Sequence, residues 1–124
     1  PISTFEEGLC ERFHTAVELI GRRWSGAIIF LLLGGPQRFS DLASGVHGIS
    51  DRLLSERLKE LEAAGIVARE VIPETPVRVE YALTEKGRAL APSMNAIAEW
   101  AHAWLPDPTL DPAAPAPLEA ESAR

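Results

Sequence analysis

Arg52, Ser55, Glu56 and Lys59 are the residues whose types and spacing point most directly to chemistry. In a helix, at about 100° per residue, these four side chains share one face. Arginine is the usual bidentate donor to guanine O6 and N7, and lysine pairs with phosphate. The spacing therefore predicts a helix whose outer face contacts nucleic acid, with Arg52 and Ser55 nearest the bases. A merely solvated face explains the same spacing, and Glu56 would repel phosphates.

The residues around this predicted helix extend the same surface. Ser50 is a preferred N-cap and Asp51 suits the positive end of a helix dipole, so the helix should begin there. Arg78, in a predicted hairpin turn, reaches either a minor groove or only solvent. Residues that flank other helix ends are included because groups at such ends commonly hold phosphates. The full set predicted to contact DNA is Arg38, Ser40, Ser50, Asp51, Arg52, Ser55, Lys59, Arg78 and Lys86.

Apolar periodicity predicts the elements that must position these residues. Leu53, Leu54, Leu58 and Leu61 form the inner stripe of the helix described above, and Arg57, on the flank of that stripe, is expected to be structural. The other helices and the β-rich runs end at glycine or proline. The predicted elements are helices over residues 11–20, 25–33, 39–46 and 51–64, strands over 67–72 and 77–83, and a helical stretch over 85–105 that restarts at Pro92.

This order of elements defines the expected fold class. Two helices joined by a glycine-containing turn and followed by a β-hairpin are typical of a winged helix-turn-helix, a mainly α fold with a small hairpin. We expect one domain over residues 1–105. Residues 106–124 contain five of the ten prolines among Ala, Asp and Glu, which indicates a disordered acidic tail.

Composition excludes several other classes of protein. Cys10 is the only cysteine, so neither an intramolecular disulfide nor a cysteine-based zinc site is expected. No apolar run approaches the roughly 20 residues of a membrane-spanning helix, and no start resembles a secretion signal, so we expect a cytoplasmic protein. Catalytic motifs are missing, which argues against an enzyme. The net charge of −6 opposes DNA binding, but half of it, −3, lies beyond Leu105.

Five segments between residues 10 and 105 form a specific pattern in order along the chain. They are Leu19–Trp24, Arg38–Leu42, Ile49–Leu58, Glu62–Ile66 and Val79–Gly87. These segments resemble the HxlR family of winged helix-turn-helix regulators, which is similar to the MarR regulators. The resemblance implies a bacterial, cytoplasmic homodimer that binds pseudo-palindromic DNA and dimerises through its N- and C-terminal helices.

The predicted dimer interface combines this implication with helical spacing. Met94, Ile97, Ala101 and Trp104 alternate steps of three and four residues, the spacing of a narrow coiled-coil-like seam. Phe13, on the N-terminal helix, is assigned to the same interface. Burial of the seam within one chain is the alternative.

Cys10 and the tryptophans are candidates for sensing a signal. Several family members use an N-terminal cysteine as a thiol switch, which would make Cys10 a redox sensor. Glu11 stands where the family usually has proline, and carboxylates oppose formation of the reactive thiolate, so an inert Cys10 is the alternative. Trp24, Trp100 and Trp104 line either a pocket for a small-molecule effector or simply the core and interface.

We expect no cofactor and no metal, because the three histidines are scattered without ligand-like spacing. The competing function is a winged-helix module that has lost DNA binding and serves protein association, which the acidic balance would suit. The basic and polar residues predicted above to face DNA weigh against this alternative.

Overall fold

The computed structural model describes residues 9–107. The predicted tail therefore lies almost entirely outside the described residues. Each predicted element is present, with bounds that differ by a few residues at most. The elements are α1 (Leu9–Gly21), α2 (Ser25–Leu33), α3 (Phe39–Gly45), α4 (Asp51–Ala63), β1 (Val67–Ile72), β2 (Arg78–Leu83), α5 (Glu85–Arg88) and α6 (Ala91–Trp104).

The core forms around α2, which is apolar on nearly all sides. Ile28, Ile29 and Leu32 are buried, as expected of a central helix with no polar face to turn toward water. The buried leucines of α3 and α4 belong to the same apolar cluster as these residues of α2. The core is completed by Leu42, Val46, Leu54, Leu58, Leu61, Ile66, Val67, Leu83 and Met94.

The hairpin is an antiparallel pair in which Val67 lies opposite Leu83 at the open end and Ile72 lies opposite Arg78 near the turn. Gln37, just before α3, pairs with Tyr81 of β2 through reciprocal backbone hydrogen bonds of 2.9 and 2.7 Å. This short bridge ties the hairpin to the start of α3, so the hairpin stands beside the two helices that form the helix-turn-helix.

After the hairpin the chain makes two helices instead of one. The Thr84 hydroxyl caps α5 by accepting from the Gly87 N–H at 3.1 Å. A side chain at position 87 would collide with the Ile66 carbonyl, so only glycine lets α5 lie this close to β1. Pro92 lies in the first turn of α6, which confirms the predicted restart.

The two terminal helices have little of their surface inside the chain. In α1, residues 10–18 are exposed, and only Leu19 and Ile20 near its end pack against the core. In α6, Met94 is the buried residue. Among the helices between residues 9 and 107, none has both the length and the apolar character needed to cross a membrane.

Candidate nucleic-acid interface

Helix α4 begins with the predicted side-chain cap. The extended Ser50 places its Oγ 3.1 Å from the Leu53 N–H, which donates to it. Asp51 occupies the first turn, where a carboxylate interacts favourably with the helix dipole. The Ser50 cap and the favourable position of Asp51 both stabilise a helix that starts at this point. In that helix, Arg52, Glu56 and Lys59 face outward.

The outer face of α4 is centred on Arg52, Glu56 and Lys59, all exposed, with the half-buried Ser55 at its edge. The Arg52 side chain is 89% exposed, and its Nε lies 3.4 Å from Glu56 Oε1, an i,i+4 ion pair. Such an exposed pair is weak, so either partner can exchange it for a stronger one. The face is thus a free polar surface with both signs of charge.

The inner face of α4 differs from the prediction at two positions. Leu54, Leu58 and Leu61 are buried as expected, but Leu53 is only partly buried and Arg57 takes the inward place. Arg57 lies closer to the centre of the leucine stripe than Leu53 does. Its charge is compensated there by partners on α4 and on the turn after α1. Its predicted structural role fits this placement.

Arg78 is the first residue of β2, at the turn end of the hairpin. Its Nη2 lies 3.3 Å from Glu74 Oε1, and its Nε lies 3.1 Å from Glu80 Oε2 without an aligned hydrogen bond. The sequence did not lead us to predict that these two carboxylates pair with Arg78. The signal for Glu80 was present, because residues two apart on a strand share a face.

Arg38, Ser40 and Lys86 lie at helix ends, as predicted, and two of them have partners within the chain. The Arg38 backbone N–H donates to Asp41 Oδ2 at 3.2 Å, which caps α3. Lys86 Nζ donates to the Ala64 carbonyl at 2.6 Å, at the C-terminal end of α4. Ser40 is exposed in the first turn of α3.

Helices α1 and α6 both expose large apolar side chains among their polar ones. Ile97 and Trp104, both in the predicted seam, are exposed, Trp104 at 74%, and Ala101 is partly buried. Met94 is only 4% exposed and packs in the chain's own core, which is the alternative left open for the seam. The large apolar side chains exposed on α1, α6 and the residue after it are Phe13, Val17, Ile97, Trp100, Trp104 and Leu105.

Cys10 lies in the first turn of α1 and is exposed as a free thiol. It sits on the part of α1 that stands away from the core. Trp24 is separated from the other two tryptophans: it packs against Gly48 near the core, whereas Trp100 and Trp104 are exposed on α6. Within residues 9–107, no three His, Cys, Asp or Glu residues are grouped so that they could hold a metal ion.

Helix α4 is capped, has a free polar outer face, follows α3 after a short turn and is flanked by the hairpin. This arrangement defines a winged helix-turn-helix protein. Residues 19–109 match the model of the HxlR-like helix-turn-helix family. The chain belongs to this family, and both the predicted fold class and the resemblance found in the sequence are confirmed.

Similar proteins are transcriptional regulators. The chain is 52% identical over 103 residues to the HTH-type transcriptional regulator YvaP of Bacillus subtilis, covering 83% of this chain and 95% of YvaP. The reduced form of the regulator YodB from the same organism superposes with a TM-score of 0.70 at 46% identity, covering 75% and 91% of the two chains. YodB has also been solved in diamide-treated and quinone-bound forms.

The redox regulator HypR in its oxidised form superposes with a TM-score of 0.73 at 35% identity, covering 77% of this chain and 99% of HypR. These relatives confirm the prediction that the chain is a helix-turn-helix transcriptional regulator.

Proposed function

We propose that the protein binds a pseudo-palindromic DNA operator as a homodimer in the cytoplasm, with α4 in the major groove. The observation that carries this proposal is the outer face of α4. Arg52, Glu56 and Lys59 make no contact with the core, and the Ser50 cap holds the helix start rigid beneath them. A helix entering the groove presents its N-terminal half to the bases, and this is the half that bears Arg52.

Each residue of the face has a role that follows from its position. Arg52 donates to a guanine edge, and Ser55 lies beside it for a further base or sugar contact. Lys59, one turn farther along, pairs with a phosphate. Arg78 reaches the adjacent minor groove or its phosphates after exchanging Glu74 and Glu80 for the DNA backbone.

The residues at helix starts hold the backbone of the duplex in register. Ser50 and Asp51 begin α4, and Arg38 and Ser40 begin α3, and helix starts such as these favour phosphate. Lys86 has three N–H donors, of which the Ala64 carbonyl takes one, so the others remain for a phosphate.

The exposed apolar surface of α1 and α6 supports a homodimer. Large apolar side chains exposed on the terminal helices can be covered by a partner, and here Phe13, Ile97 and Trp104 are all more than half exposed in the single chain. In the proposed dimer, a twofold axis would have to set the two copies of α4 roughly 34–36 Å apart, one turn of duplex. Ala101 lies at the same seam.

Cys10 is the residue through which we propose that the dimer responds to an oxidant or an electrophile. Its thiol is exposed on the proposed dimer helix, and the similar regulators YodB and HypR were each solved in reduced and treated or oxidised forms. A flat organic effector against the exposed Trp100 and Trp104 is the alternative signal, since those rings are spaced by one helical turn.

The test is a mobility-shift titration on the duplex upstream of the protein's own gene, with random DNA as competitor, under reducing and then mildly oxidising conditions. We expect specific retention of that duplex, lost on oxidation in the wild type and kept in Cys10→Ser. Specific retention of the duplex that is equal before and after oxidation would contradict the proposed role of Cys10. A confirmed dimer that retains no duplex would replace DNA binding by the protein-association function.

A further inference from the structure

Arg57 is the charged residue of α4 that is turned away from the proposed DNA surface. It is 8% exposed and lies among the leucines of the inner stripe. Its Nε donates to the Arg23 carbonyl at 3.0 Å, and its Nη1 lies 3.4 Å from Glu60 Oε1. The other oxygen of the Glu60 carboxylate lies 3.4 Å from Arg22 Nη2. The middle of α4 is thus joined to the turn that ends α1.

The turn that receives these contacts has a constrained conformation. Trp24 has a φ of 78°, a left-handed value that a bulky residue adopts only when its surroundings impose it. The Arg23 guanidinium lies 4.5 Å over the Trp24 ring. A Cβ at Gly48 would approach the edge of that ring to 3.3 Å, so the turn before α4 also packs against Trp24.

These residues, Arg22, Arg23, Trp24, Arg57 and Glu60, form what we call the Arg57 junction. An apolar side chain of similar length would fill the space at position 57 and would avoid burying a charge. Burial of a guanidinium is costly unless its donors are satisfied, and its rigid fork fits a carbonyl and a carboxylate in one orientation only. The junction therefore adds directional contacts to the leucine stripe, and these contacts favour one particular rotation of α4 about its axis.

We propose that Arg57 is a positioning residue that fixes the angle of α4 against the end of α1. It contacts no base itself. Because α1 carries part of the proposed dimer surface, this angle sets how far apart and in what orientation the two copies of α4 stand. The inference rests on the proposed function, and it adds that Arg57 determines which spacing between half-sites the dimer accepts.

The experiment uses the full chain and a duplex selected from a randomised pool by the wild-type protein. The segment between the half-sites is then shortened or lengthened by one and two base pairs. Each added pair moves the half-sites about 3.4 Å apart and rotates them by about 35°. Wild-type affinity should fall about tenfold or more per pair, the size of a lost base contact. Arg57→Met should show differences below about threefold across the series, with weaker binding at the best spacing.

Matched variants separate positioning from stability and from base contact. Ile66→Val removes one buried methylene outside the junction and should lower the melting temperature while leaving the spacing profile steep. Arg52→Ala should weaken binding at every spacing by the same factor. Arg57→Lys and Glu60→Gln keep the approximate volume while breaking the fork, and should give intermediate profiles even if Arg57→Met does not fold.

Two results would overturn the inference in different ways. If the wild type binds and the Arg57 and Glu60 variants keep its steep profile at uniformly reduced affinity, Arg57 is merely structural. If the wild type selects no duplex at all, the proposed DNA-binding function is wrong, and the proposed role of Arg57 is wrong with it.

Discussion

The two exposed faces of this chain, the outer face of α4 and the surface of α1 and α6, are built in opposite ways. Helix α4 buries Leu54, Leu58 and Leu61, begins at a side-chain cap and has a polar outer face. Helix α6 turns a single residue, Met94, inward and offers water Ile97, Trp100 and Trp104. One face is complete in the single chain, and the other is apolar and lacks a covering partner within the described residues.

The contrast shows which contacts the chain can make alone. A domain of this size buries only part of the surface that its unfolded chain exposes, and here the core around α2 uses the apolar residues of the helix-turn-helix. Phe13, Ile97 and Trp104 of the terminal helices stay outside that core and are exposed in the single chain. In the proposed dimer, the second copy would cover these side chains.

The largest expected effect comes from making the apolar face polar. Ile97→Glu combined with Trp104→Glu should give a monomer in light scattering. The monomer should lose about 10²- to 10⁴-fold in operator affinity, because the second half-site no longer binds as part of the same molecule. Glu99→Gln, on the exposed part of the same helix, is the control and should change neither property. A double variant that stays dimeric would place the interface elsewhere.

Removal of the proposed base contact should have the next largest effect. Arg52→Ala should reduce the preference for the operator over random duplex by about 5- to 150-fold, the 1–3 kcal/mol of a bidentate contact to guanine. Lys59→Ala is its counterpart: it should weaken operator and random DNA alike and reduce the slope of log K against log salt by roughly 0.9. Equal loss on both duplexes in Arg52→Ala would assign that arginine to a phosphate.

Loss of the Ser50 cap tests whether this side chain stabilises the start of α4 when no DNA is bound. Ser50→Ala should lower the free energy of unfolding by about 1 kcal/mol, or roughly 4–8 °C in melting temperature. Ser44→Ala, exposed within α3 and without a capping role, should cause no such loss. Both are compared by thermal melts at one protein concentration, since dimerisation contributes to stability. Equal melting temperatures would show that the Leu53 N–H is satisfied without Ser50.

The smallest predicted effect concerns the acidic member of the polar face. Glu56→Gln removes the ion pair with Arg52 and the repulsion of nearby phosphates, so binding to random duplex should strengthen roughly two- to fivefold. Glu62→Gln, which lies outside that face, serves as the control. Weaker binding in Glu56→Gln would mean that Glu56 holds Arg52 in its productive orientation.

The sequence predicted most of α4 because the signals there are local. A serine cap, a leucine stripe and a terminal glycine act within a few residues of one another, and the helix has the expected bounds. The exchange of Leu53 and Arg57 was missed because the partner of Arg57, the Arg23 carbonyl, lies 34 residues earlier in the chain. Spacing within a helix contains no information about such a partner.

The seam on α6 shows the same limit from the other side. Steps of three and four residues relate Met94 to Ile97, Ala101 and Trp104, yet Met94 packs inside the chain while Trp104 is exposed. Periodicity identifies a face of the helix but does not say which part of that face the same chain covers. The break between α5 and α6 lies at Ala89 and Leu90, and in α6 beyond it the buried residue is Met94, about one turn from Leu90.

That break also gives α6 the mechanics of a lever. From Leu90, where the chain bends, Met94 is about 6 Å along the helix and Trp104 about 21 Å, at 1.5 Å per residue. The methyl of Met94 lies beside Gly26 of α2, the central helix of the core. Rotation about Leu90 that displaces Trp104 sideways therefore moves Met94 by only about a third as much. In the proposed dimer, this long outer arm would let the two copies adjust their fit with little movement at Met94.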